Sequence, residues 1–248
     1  MNILFLAARR RITIRILLWQ IFGNLGLIGI AIAATTIPDS HLWELALSAL
    51  TICLLVVGTL SLHTFIVRRL RQSAENKPIW LGGLLLALWI AIFSLANYIL
   101  DPLNDRASQR ASYWNAMLGP HLRSIFTQVR LLNWQNNIFD FLMWTVLPAL
   151  FIPVAIETVT RGWSARRNAS RILLRWQYWL TPILFYCAAN VLTSLIDWHP
   201  PSNPTVEVIS VVLRLTVVYV VLVYLFTYVV ALTSELLARN QALRDSAA

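Results

Sequence analysis

The chain carries several apolar runs of about twenty residues, and that feature limits its possible folds more than any other. A helix rises 1.5 Å per residue, so about twenty residues cross the ~30 Å hydrocarbon core of a bilayer. Six runs are expected to be spans, at about 12–35, 42–67, 79–100, 138–160, 176–196 and 208–236. The composition supports a lipid solvent. Only 12% of the residues are charged and 58% are hydrophobic, against about 25% charged in a soluble domain. The expected fold is an all-α integral membrane bundle, one polytopic domain over 1–248.

A formal charge of +9 would suggest nucleic acid in a soluble protein. Here the basic residues are sorted by position. Fifteen of the 20 Lys and Arg residues fall in 1–15, 68–77, 161–175 and 239–244. Seven of the 11 acids, Asp39, Glu44, Asp101, Asp105, Asp140, Asp197 and Glu207, fall at the opposite ends of the spans. That is the positive-inside pattern of membrane insertion. It places both termini in the cytoplasm and needs no nucleic acid partner. The expected partners are the lipid bilayer, with anionic headgroups at the basic loops, and another membrane-complex component or a second copy of the chain. A bacterial inner membrane is the expected location, since the chain is compact and shows no organelle-targeting segment.

Ala31, Ile32 and Ala33 resemble a signal-peptidase site, but the preceding apolar stretch is longer than a signal core, so a retained span is expected. Cys53 and Cys187 both fall within spans and should act as small apolar residues. The longest connection joins spans three and four. Within about 106–135 it should form an amphipathic outer segment, broken at Gly119 and Pro120, with Leu122, Ile125, Phe126, Val129 and Leu132 on one face. Such a segment lies in the headgroup plane or caps the mouth of the bundle. Basic starts and acidic ends recur in each hairpin, a pattern shared by duplicated hairpins and by multi-span proteins in general.

Arg214 is the charged residue deepest within a span. A charge there is costly and should face protein or water rather than lipid. Arg214, Val217, Val221, Tyr224, Tyr228 and Glu235 share one helical face. This stripe reads as a ligand or proton path, or as a packing face, with Asp140 on span four as the expected partner of Arg214. Span one carries Gln20 and Asn24 beside Gly23, Gly26 and Gly29, a pattern suited to close helix packing within the protein or between copies. Pro148 and Pro153 kink span four and free the carbonyls of Trp144 and Ala149. Asp39 with His41, and Asp197 with His199, are the candidate metal ligands in the outer loops.

Motifs for nucleotide, flavin or catalytic zinc are missing. No cofactor is therefore expected. Three functional readings stay open. One is a non-enzymatic component or subunit of a membrane complex. Another is a small permease or channel with a polar path along span six. The last is a membrane-embedded enzyme using the outer His and Asp residues.

Overall fold

The computed structural model describes residues 2–38, 40–72, 78–165, 169–196 and 204–246. Among them the regular structure is all helical: α1 (Asn2–Arg11), α2 (Ile14–Thr35), α3 (Leu42–Arg71), α4 (Ile79–Asp105), α5 (Ala107–Met117), α6 (Pro120–Ile125), α7 (Gln128–Phe141), a π turn (Leu142–Val146), α8 (Leu147–Arg161), two 3-10 turns, α9 (Trp176–Ser194) and α10 (Pro204–Asp245). Among the described residues, five stretches are long and apolar enough to cross a membrane: Ile14–Thr35, Leu42–Arg71, Ile79–Met117, Gln128–Arg161 and Thr205–Leu243. This is compatible with a multi-pass membrane protein. The count differs from the six spans expected. The missing one is α9, whose Trp, Gln, Tyr and Asn residues dilute its apolar character.

Two features were not anticipated at the N-terminus. The basic start is itself a helix, α1. The chain then breaks at Ile12 and Thr13, where the Thr13 hydroxyl accepts from the Ile16 amide at 3.3 Å and caps α2. At the start of α3, Glu44 is buried and its carboxylate accepts from the His41 amide at 2.9 Å and from the Ser40 hydroxyl at 2.8 Å. The bond from His41 satisfies a backbone donor that a helix end must otherwise leave to solvent.

The chain forms two compact units, Met1–Ala87 with Ile152–Ala248, and Leu88–Phe151. In the first, α10 packs against α1, α2, α3 and α9. Its core lies at the arginine-rich end. Val229, Val230, Ala231, Leu232, Leu236 and Leu237 of α10 are buried there with Leu4 and Ala8 of α1, Ile66 and Leu70 of α3, and Ile156 and Val159 of α8. Four buried hydroxyls in this core are satisfied within their own helices, since Thr158, Thr160, Thr227 and Thr233 donate to carbonyls one turn back, whereas those of Thr64 and Ser234 are buried without a hydrogen-bond partner among the described residues. Away from that end the helices keep their apolar sides outward. In the most apolar window of α3, 0% of the residues are buried, and in that of α10, 6%. Exposed apolar surface on that scale is foreign to a monomer in water.

The second unit packs α5 against α7. The expected break after α5 occurs, with Gly119 preceding Pro120 at the start of α6. A further break, at Phe126 and Thr127, divides the single helix expected from the apolar spacing. Thr127 caps α7 by accepting from the Arg130 amide. Arg123 donates to Asn115 and Ala116 carbonyls at the end of α5, and Arg130 to the Ile125 carbonyl at the end of α6. Cations at helix C-termini are favourable because unpaired carbonyls concentrate negative charge there. Trp89, Phe93 and Phe151 form an aromatic cluster in the same unit.

Glycine matters most at position 82. A Cβ there would lie 2.6 Å from Thr64 Cγ2 and 3.2 Å from the Val159 carbonyl oxygen, so α4 approaches α3 and α8 closely only because the side chain is absent. Gly82→Ala should therefore destabilise the detergent-solubilised protein by about 1–3 kcal/mol through overpacking. In the single chain freed of any partner, Gly26→Ala, which meets open space, should not lower the melting temperature; equal melting of both variants and the parent would refute the close approach.

Candidate functional site

The polar chemistry of the first unit gathers at its arginine-rich end around two glutamates. Glu157 on α8 is 1% exposed, and Glu235 on α10 is 13% exposed at its side chain. Each meets an arginine four residues later on its own helix. Glu157 faces Arg161 at 3.5 Å and Glu235 faces Arg239 at 2.9 Å. This spacing puts both members of a pair on one helical face. Each glutamate also takes an arginine from the last turn of another helix. Arg71 of α3 reaches Glu157 at 3.4 Å, and Arg11 of α1 reaches Glu235 at 2.7 Å.

The cross-helix arginines do further work. Arg11 Nη1 donates to the Leu70 carbonyl of α3 at 2.9 Å, so one guanidinium ties α1, α3 and α10 together. Arg71 Nη2 donates to Gln241 Oε1 at 3.4 Å, linking α3 to the end of α10 while its Nε serves Glu157 on α8. Arg suits this task because its planar guanidinium offers several fixed donors at once. A charge buried in this way is tolerated only while paired, since it has given up hydration.

The residues expected along span six divide between this cluster and separate contacts. Glu235 belongs to the cluster and also lines a cleft of about 380 Å3 with Ile3, Leu6, Ala7 and Arg10. Tyr224 and Tyr228 are half-buried and stack with ring centroids 6.4 Å apart. The Tyr228 hydroxyl donates to the Phe5 carbonyl of α1 at 3.4 Å. Arg214 lies farther along α10. Its Nη1 donates to the Leu195 and Ile196 carbonyls just past α9, at 3.0 and 3.2 Å, and its Nε to the Ser210 carbonyl. It thus satisfies the carbonyl end of α9, a favourable place for a cation. Asp140 is exposed on α7, in the second unit.

On α2, Gln20 is buried with its Oε1 unpartnered, and Asn24 is half-buried. Gly26 and Gly29 face open space. The close contact of α2 with α3 lies instead at Gly23, where a Cβ would meet Leu62 at 2.7 Å, and at Gly58, where it would meet Leu27 at 2.9 Å. Of the candidate metal ligands, His41 is exposed at the start of α3. Asp39, Asp197 and His199 lie outside the described residues. Among the described residues no three His, Cys, Asp or Glu side chains come together at metal-binding range.

Sequence reasoning placed Glu235 on a stripe but overlooked Glu157, Arg71 and Arg11. The signal was available in part. Glu157 with Arg161 and Glu235 with Arg239 share one spacing near the ends of two apolar helices. The cross-helix arginines had no such signal, because their partners lie 86 and 224 residues away.

Compared with protein-family models, with curated proteins and with solved structures, the chain matches none.

Removing one member of the buried pair should be more harmful than removing both. Glu157→Gln leaves Arg71 uncompensated and should cost about 3 kcal/mol, read as a lower unfolding midpoint in detergent. Arg71→Met combined with Glu157→Leu should recover most of that loss. If the double variant is as unstable as the sum of its single variants, the two residues are not coupled.

Proposed function

We propose that this chain is a six-span protein of a bacterial inner membrane, with both termini in the cytoplasm, serving as a non-enzymatic component of a membrane complex. The sixth span is α9. Its 19 residues give about 28 Å of helix, close to the hydrocarbon thickness of a bilayer. The orientation rests on the basic loops, which gather where membrane insertion keeps Lys and Arg.

The observation that carries this reading is how the stripe on α10 is used. Its acid, Glu235, holds Arg11 and Arg239. Its Tyr228 bonds the backbone of α1. These groups hold helices together, and a substrate path would need them facing water. The open Gly26 and Gly29 on α2 leave a face on which another helix can seat closely, which favours a partner subunit or a second copy.

A small permease is the second reading, and the π turn at Leu142–Val146 favours it. Such turns concentrate at functional sites, and here one directly precedes Pro148 and Pro153. The enzyme reading depends on the outer His and Asp residues, of which Asp39, Asp197 and His199 lie outside the described residues.

Cysteine labelling separates the first two readings. In a background lacking Cys53 and Cys187, Tyr224→Cys and Tyr228→Cys should resist a water-soluble maleimide until the protein is denatured. Rapid labelling of both in the native protein would favour the permease. In mild detergent the complex reading expects a discrete particle heavier than one 28.2 kDa chain with its micelle. A reporter fused within 161–175 should be active only on the cytoplasmic side.

A further inference from the structure

The break between α1 and α2 opens a cleft of about 460 Å3, lined by Arg10, Arg11, Arg15, Trp19, Phe65 and Arg69. Arg11 is neutralised by Glu235. Arg10, Arg15 and Arg69 are exposed, and among the described residues no carboxylate lines the cleft. Arg69 lies over the Phe65 ring at 5.2 Å, and Phe65 meets Trp19 edge-on at 6.2 Å, so the basic groups sit against an aromatic wall.

Two further facts make this an unfavourable place for bare cations. Arg15 stands in the first turn of α2, where unpaired amides already place partial positive charge. The other arginines crowd the same opening, and like charges at short range repel. An anion would relieve both effects at once. Guanidinium groups suit phosphate in particular, because their paired donors match two oxygens of one group.

The cleft does not end at the arginines. Arg15 and Trp19 also line a second cleft, of about 400 Å3, which continues along α2 past Leu18 and Phe22 to Gly23. Leu18, Trp19 and Phe22 are all exposed along it. From Arg15 to Gly23 this is about 12 Å of helix. A basic mouth continuous with an apolar groove fits a molecule with a phosphate at one end and a hydrocarbon chain at the other.

We propose that this cleft binds one anionic glycerophospholipid, its phosphate held by Arg10, Arg15 and Arg69 and an acyl chain laid along Trp19, Leu18 and Phe22. The proposal rests on the multi-pass membrane reading and adds a specific lipid site to it. The bound lipid would fill the angle between α1 and α2 beside the Arg11–Glu235 pair, and so brace the packed end of the bundle.

The test uses the full chain in an uncharged detergent, with native mass spectrometry counting bound lipids. Phosphatidylglycerol should bind at one copy per chain, about tenfold more tightly than phosphatidylcholine. Arg15→Gln combined with Arg69→Gln should remove that preference, and Arg10→Gln alone should weaken it. Arg9→Gln makes the same charge change on α1 outside the cleft and should leave it within about twofold, a small fraction of the tenfold effect. Phe22→Ala should weaken the lipid but not glycerol phosphate. Equal binding of the two lipids, or equal losses from Arg9→Gln and Arg15→Gln, would overturn the site. Competition by glycerol phosphate or inorganic phosphate at the same concentration as the lipid would overturn the lipid as its occupant. A chain that stays monodisperse without detergent would sink the membrane reading itself, an outcome separate from each of these.

Discussion

Two glutamates bridged by arginines at the end of the bundle hold the first unit together. Glu157 and Glu235 each bind one arginine from their own helix and one from another. The local pairs set the carboxylates in place, and the distant arginines then draw α1 and α3 onto α8 and α10. Glu157 and Arg71, at 1% and 7% side-chain exposure, have lost their hydration, so that pair is stable with both members present or both replaced and not with one alone. The apolar core gathers at the same end, and the ion pairs and the packing therefore depend on one another.

Away from that end the helices follow a different rule. Their apolar side chains point outward along most of α2, α3 and α10. Within hydrocarbon such surfaces have no hydrophobic reason to associate, because lipid tails are as apolar as leucine. Close contact is then left to small residues and polar bonds. Gly23 and Gly58 let α2 approach α3, and the Tyr219 hydroxyl donates to the Ile21 carbonyl at 2.8 Å. The ionic clamp supplies the specificity that apolar burial supplies in a water-soluble core.

The long apolar helices were legible because their periodicity and length are local properties. Helix breaks at Gly119 and Pro120 were legible for the same reason. The cap at Thr127 was missed, although Thr before a polar turn is a known start signal, because the apolar spacing across it continued without interruption. The helix α1 was hidden by its cluster of arginines, which reads as a topology signal. α9 was legible as a helix, yet its polar residues leave it outside the five long apolar stretches. Arg214 drew attention as a charge within a span, and its Nη1 bonds go to the carbonyl end of α9. That end was invisible as an acceptor, since every backbone carries the same carbonyls.

From the sequence alone came the all-helical class, the approximate helix limits and the segregation of basic residues, all of which depend on neighbours within a few turns. The tertiary structure decided which arginine meets which glutamate, which glycines lie at contacts, and where the basic cleft opens. Those outcomes depend on the approach of segments far apart in the chain. An arginine's charge is visible in the sequence, but its partner is chosen by helix packing, which no local pattern encodes.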